Sequence, residues 1–367
     1  MQNVKPVFNW DNDEWRKGGK SLILGEPPAL YDSLNRKHEK LFQIYKGQKS
    51  ADWSEDEINL AASLSDFGTC PSDIANGMIE NIAFQWETDS MIANSMIPLL
   101  APFITDSDFA TTVSKNAEIE NLHSLTYSEI VKLAIPNPEK VFERVMYNQK
   151  VKSRGGVVSG RLERLKWYGA KYTLGEIDNN QKLYDEVFLG LVALFCLERL
   201  QFMASFAHTF AIVEQGWFQG IGKLVQKIMQ DEYYYHAPTI KYVLKHEITT
   251  SRGMLTWVNH METIKELVDT ILKSEYDWND HIFTICKIPS VTEDLMNKWV
   301  DFNAQDIYNT LMLEQPFKKV EINPLPYMSY WLDLNKFQNA NQEGDNNNYS
   351  LNSFVNDIDP TKIFGYY

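Results

Sequence analysis

An all-α fold is expected for this chain, and three observations predict it. Long stretches without breakers are bounded by Pro and Gly. Strand signals are scarce, the one candidate being a short hairpin near 171–182 in "AKYTLGEIDNNQK", with Gly175 and Asn179–Asn180 as turn chemistry. Acidic residues interrupt otherwise apolar helical faces, an arrangement that suits a bundle with a polar centre.

The elements follow in order. Residues 1–50 read as an irregular N-terminal extension, with Gly18–Gly19 and Pro27–Pro28 as breakers. "DWSEDEINLAASL" opens a helix with Ser54 as N-cap and Glu57 completing a capping box. A second helix is expected from about Ser72 to Leu100, ending near Pro102, and a third from Asp106 to Ala134, stopped by Pro136. A fourth covers Lys182–Glu214, and Gly216 and Gly220 separate it from a fifth at Ile221–His236. Two more are expected at 255–274 and 290–314. From residue 336 to 367 the composition becomes polar and Asn-rich ("NANQEGDNNNYS"), which reads as a flexible tail ending in the apolar "IFGYY".

Hydrophobic residues make up 44% and aromatics 13% of the 367 residues, enough for a large core. A net charge of −14 argues against non-specific binding to nucleic acid or to an anionic membrane and suits a cytoplasmic protein. Cys70, Cys196 and Cys286 are scattered and form no CxxC, so they read as buried thiols in a reducing compartment. No basic segment followed by an apolar core opens the chain, so no signal peptide is expected. The longest apolar run, Val187–Leu197, is about half of the roughly 20 residues a membrane span requires. It reads instead as a helix buried on all sides.

That run stops at Glu198 and resumes as "LQFMASFAHTF". A buried, unpaired carboxylate is costly, so such a group is paired, hydrogen-bonded or bound to metal. Asp89 lies among apolar residues in "FQWETDSMIANSMI", and Glu120 and His123 share a helix face in "EIENLHSLTY". Glu232 and His236 occur in "MQDEYYYHAP". A lone Glu-x-x-His pair is more often a solvated helix face. Here, however, Asp89 to Glu120 is 31 residues and Glu198 to Glu232 is 34, each suiting one antiparallel helix hairpin. Each hairpin supplies one lone carboxylate and one carboxylate–histidine pair. Four carboxylates and two imidazoles pointing inward from four helices describe a di-iron or di-manganese carboxylate bundle. Such donors suit iron or manganese better than zinc or copper.

With these residues in place, the chain from about Trp53 onward resembles the small (beta) subunit of class I ribonucleotide reductase. The resemblance implies a ferritin-like bundle over 51–335 with two metal ions per chain, iron first and manganese as the alternative. It implies that Tyr127, at His123+4 on the same face, is oxidised to a radical by the metals and O2. Phe202, Phe206 and Ile228 would form the apolar pocket around that radical. Asp231 would orient the metal-bound histidine, and Trp53 would hydrogen-bond Asp231 and begin a long-range electron route. "NPLPYMSYWLD" (Asn323–Asp333) resembles the segment before the tail. Tyr349 is then the candidate redox residue of the tail, and Phe364, Tyr366 and Tyr367 the candidates for docking on a large subunit. That partner would reduce ribonucleotides to deoxyribonucleotides, and the chain would act as a homodimer. The chain itself carries no Gly-rich phosphate loop after a strand.

The sequence departs from the family in places. The usual second pair is Glu-x-x-His, but Tyr235 holds that position and His236 follows. A π-bulge absorbing one residue would aim His236 rather than Tyr235 at the metal. Gln230 stands where a basic residue often precedes the second acid. The first 50 residues are short for an added nucleotide-binding regulatory domain. Two other classes use similar ligands: O2-activating oxidases or desaturases, and non-catalytic ferritin-like iron-binding proteins. Neither class needs Tyr127 with its Phe pocket or the tail.

Overall fold

In the computed structural model, residues 8–12, 21–289 and 291–334 are described. Tyr349, Phe364, Tyr366 and Tyr367 lie outside them. The elements are helices α1 (Glu39–Ser50), α2 (Ala61–Thr69), α3 (Ser72–Ala93), α4 (Met96–Leu100), α5 (Ser107–Ala134), α6 (Glu139–Tyr147) and α7 (Gln149–Thr173). They continue as α8 (Gln181–Cys196), α9 (Phe202–Val213), α10 (Gln219–Asp231), α11 (Ala237–Thr249), α12 (Ser251–Ile285), α13 (Glu293–Thr310) and α14 (Pro326–Leu332). One turn of π-helix at Leu197–Gln201 joins α8 to α9, and a second at Glu232–His236 joins α10 to α11.

Among the described residues the strand-like pairing is a single antiparallel bridge, Ile23 to Ile104. The expected hairpin at 171–182 is instead a helix-to-helix turn. α7 runs through Thr173, Gly175 adopts φ 72°, and the Asn180 side chain caps α8 by accepting from the Leu183 amide. The turn residues were real signals, but they serve two helices.

Other boundaries moved for identifiable reasons. The helix expected to reach Leu100 breaks after Ala93, because Pro98 lacks an N–H and its ring crowds the carbonyl four residues back. Glu57 accepts from the Ser54 amide at 2.9 Å as a capping box would, yet helix begins only at Ala61, where Asn59 accepts from its amide. Residues 39–50 are helical rather than irregular, burying Leu41, Ile44 and Gln48 on one face. The helix expected to stop at His236 continues to Thr249. Its π-turn ends two residues before Pro238, which has no N–H to continue the α ladder. Cys196 and Cys286 are buried free thiols, while Cys70 is only half-buried.

Four helical columns surround the centre. α3 packs on α5 and on α9, α9 packs on α10, and α10 packs on α5, closing the ring. α1 lies across α5 and the second π-turn. The stretch Gln181–Val213 is long and apolar enough to cross a membrane, but it is the buried core of the bundle.

Candidate metal centre

Each column delivers one part of the site. α3 carries Asp89, α5 carries Glu120 and His123, the first π-turn carries Glu198, and the second carries Glu232 and His236. All six side chains are buried. One ligand atom from each of Glu120, His123, Glu232 and His236 lies within 4.8 Å of the others.

The imidazoles are aligned alike. His123 directs Nδ1 at Glu232 Oε1 (3.0 Å) and Nε2 at Asp231 Oδ2 (3.1 Å). His236 directs Nδ1 at Glu120 Oε1 and Glu232 Oε2, both at 2.9 Å, and Nε2 at the Gln48 side chain at 2.7 Å. Each ring thus faces the carboxylates with one nitrogen and is steered from behind through the other, the arrangement that fixes a metal-binding tautomer. Tyr235 points elsewhere, its ring lying against Gly47 of α1. The π-turn therefore turns His236 inward despite its late position. Thr239 donates to the Tyr235 carbonyl at 2.7 Å, satisfying an acceptor within that turn.

Among the described residues, neither oxygen of Asp89 has a hydrogen-bond partner, and the Glu198 carboxyl faces that of Glu232. Burial, with the charges of neighbouring carboxylates, raises the Asp89 and Glu198 pKa values well above the usual range. Burial alone would raise Glu232, but His236 and His123 outweigh it and hold its pKa low. Burial would likewise lower His236, yet Glu232 and Glu120 lift it to about 10, and His123 is also raised by its acidic neighbours. Buried acceptors facing acceptors are costly unless a cation lies between them. A set of four carboxylates and two imidazoles fits a pair of hard to intermediate cations such as iron or manganese.

A consequence is measurable. Metal binding requires neutral imidazole and ionised carboxylates, so loading should release about two protons or more per chain, with apparent affinity rising with pH. Calorimetry in buffers of different ionisation enthalpy checks the count. In the metal-free protein, the raised His236 pKa contributes stability that is full below about pH 6.5. That stability is lost as pH rises toward about 10.

Tyr127 sits one turn beyond His123 and is fully buried, with no hydrogen-bond partner for its hydroxyl among the described residues. Burial, then the charges of Asp89, Glu232 and Glu120, raises its pKa well above that of a free phenol. Phe202 and Phe206 stack with centroids 5.8 Å apart, and both share one core with Tyr127 and Ile228. Trp53 donates from Nε1 to Asp231 Oδ2 at 2.8 Å, and its ring stacks on His123 at 6.0 Å. These are residues that the sequence nominates for the site.

Three further supports are visible only in the fold. The first is Gln48, in a region rich in breakers whose one signal is the recurrence of Leu41, Ile44 and Gln48 at helical spacing. The second is Arg154, buried on α7, which pairs with Glu275 of α12 and donates to the carbonyl of Gln201, the last residue of the first π-turn (2.9 Å). No local signal marks that pair. The third, Lys227 with Glu57, is a salt bridge across 170 residues.

The family model described as "Ribonucleotide reductase, small chain" matches residues 32–324. Ribonucleoside-diphosphate reductase 1 subunit beta of Escherichia coli O157:H7 is 24% identical over 92% of this chain and 93% of its own length. The subunit beta of enterobacteria phage T4 is also 24% identical, over 92% and 94%. The ribonucleotide reductase R2 subunit from Clostridium botulinum shares the fold, with TM-score 0.76 and 16% identity over 90% of this chain and 99% of that one. A dimanganese(II)-NrdF from Streptococcus sanguinis superposes with TM-score 0.64 and 13% identity over 83% and 99%. A buried dinuclear-type ligand set in this bundle, together with a family match spanning most of the chain, establishes that the chain belongs to the ribonucleotide reductase small chain family, as a radical-generating subunit.

Proposed function

We propose that this subunit stores its oxidising equivalent on Tyr127, beside two metal ions held by Asp89, Glu120, His123, Glu198, Glu232 and His236. The observation that carries this reading is a buried phenol, with no partner for its hydroxyl among the described residues, one turn from a cluster of buried, mutually repelling carboxylates. Iron is the first choice of metal and manganese the alternative. When bound in reduced form, the metal pair supplies the O2 chemistry needed to oxidise a phenol.

The chain's own residues do the rest. Tyr127 keeps its proton on Oη until the electron leaves, because burial and three nearby acids oppose phenolate. Phe202, Phe206 and Ile228 exclude water and reductants from the phenoxyl product. Asp231 Oδ2 holds both the Trp53 indole and the His123 ring, linking the protein exterior to the site by two hydrogen bonds. Trp53 is thus the inner end of an electron route to the large subunit.

Residues 336–367 are proposed as the tail, with Tyr349 as its redox residue and Phe364, Tyr366 and Tyr367 as the docking end. The described chain approaches that tail on α14, where the Trp331 carbonyl accepts from Gln226 (2.9 Å) and Gln230 (3.2 Å) of α10. Gln230, the departure noted in the sequence, thus tethers α14 to the helix bearing Asp231. Residues 51–335 form the metal domain in this reading, with 1–50 as an extension that lends Gln48. Pairing as a homodimer belongs to the same reading, as the family resemblance implies. The acidic charge and scattered free thiols favour the cytoplasm.

The test is reconstitution with Fe(II) and O2, and separately with Mn(II), followed by metal analysis and electron paramagnetic resonance. About two metals per chain and a tyrosyl signal are expected. Full metal loading with no radical under any condition, including with a flavoprotein activator, overturns the reading.

A further inference from the structure

One face of α11 carries Pro238, Lys241, Tyr242 and Lys245 at i, i+3, i+4 and i+7. That face borders a surface cavity of about 390 Å³ whose lining includes none of the candidate metal ligands. Lys40 of α1, Arg199 of the first π-turn and Tyr233 of the second also line it, with the buried Phe195 of α8. Asp306 of α13 is the one acid in the lining. It accepts from Arg199 Nε at 3.2 Å and from Lys241. Lys40 and Lys245 are exposed and make no ion pair among the described residues. Four cations against one acid leave the cavity positive, in a chain whose net charge is −14. The Tyr242 hydroxyl is anchored to His38 Nδ1 at 3.1 Å, and the Arg199 guanidinium stands 5.1 Å from the Tyr233 ring centroid. Lysines alone make a solvated face. Cations beside aromatic walls select an anion that carries a ring, because the charges take its oxygens while the side-chain rings stack on its own. The volume lies within the range of roughly 300–1,000 Å³ usual for small-molecule sites. The acidic charge of the whole chain disfavours a polyanion there.

We propose that this cavity binds a small aromatic phosphate monoester, of the size of a nucleoside monophosphate. Lys40 and Lys245, which lack ion pairs, take the phosphate, so side chains supply the donors that a Gly-rich loop supplies elsewhere. Tyr242, Tyr233 and Phe195 hold the ring. Arg199 and Tyr233 directly follow Glu198 and Glu232, so the occupant rests against both π-turns. Binding is independent of the role proposed for Tyr127, since no lining residue takes part in it.

The test is calorimetric titration of the full-length, metal-free protein with adenosine 5′-monophosphate, and separately with inorganic phosphate and with adenosine. The monophosphate is expected to bind at one site per chain, at least about tenfold tighter than either half alone. Lys40→Gln and Lys245→Gln should each weaken it about tenfold, whereas Lys166→Gln, at an exposed position on α7, leaves it unchanged. Tyr242→Leu should weaken the monophosphate about tenfold and leave inorganic phosphate as it was. Both lysines are exposed, so their variants fold, and their metal content should match that of the wild type. No binding of the monophosphate, or binding that neither lysine variant weakens, overturns the proposal. Inorganic phosphate bound as tightly as the monophosphate, or a monophosphate affinity unchanged in Tyr242→Leu, overturns the aromatic half of the site. A face that binds hexaglutamate but not the monophosphate is a docking surface for acidic protein, which also overturns it.

Discussion

Tyr127→Phe is expected to leave metal content intact, remove the tyrosyl signal and lower nucleotide reduction by about three orders of magnitude or more. The same substitution should stabilise the metal-free protein by about 1 kcal/mol, because a buried hydroxyl without a partner carries its full desolvation penalty. The two signs together make the test sharp. A phenol kept only for packing would lose nothing functional on becoming Phe. A phenol kept for chemistry gains stability and loses the reaction. Denaturant melts and electron paramagnetic resonance on the same preparations check both signs, and an unchanged radical in Tyr127→Phe would remove Tyr127 from its proposed role.

The largest stability effect is expected at Arg154. Its guanidinium is buried, donates to Glu275 from Nε at 3.0 Å, lies 3.7 Å over the Phe84 ring and holds the Gln201 carbonyl at the end of the first π-turn. Gln201 in turn donates to the Arg154 carbonyl and to Glu275, both at 3.0 Å. Arg154→Met leaves the Glu275 carboxylate buried without its cation, which costs about 3–5 kcal/mol. The π-turn it braces carries Glu198, so metal content should fall as well. Arg154→Met with Glu275→Leu removes both charges and should recover most of the stability. Metal content should recover less, because the Gln201 carbonyl still lacks its donor. Chemical denaturation with metal analysis checks the pair, and a double variant as unstable as the single one would rule out the charge argument.

Much of the site was legible in the sequence because carboxylates are rare inside apolar helices. Asp89, Glu120, Glu198 and Glu232 stood out against Ile, Phe and Met, and two hairpin spacings paired them. The late His236 was also legible, since a one-residue surplus in a helix has one economical solution, a π-turn, and the chain adopts it. The boundaries were less legible. Ser54 and Glu57 form their hydrogen bond without starting a helix, since Trp53 and Glu57 are held by α10 instead. Gly175 and Asn180 signal a turn but do not say whether strands or helices flank it.

The sequence alone therefore determined the helical class and the types and order of the buried acidic and histidine side chains, because periodicity and the cost of burying charge act locally. Only the tertiary structure decided which groups stand behind those candidate ligands. Gln48 reaches His236 across 188 residues, Arg154 reaches Glu275 across 121, and Lys227 reaches Glu57 across 170. Each is an ordinary polar side chain until folding takes it out of water and requires it to find a partner.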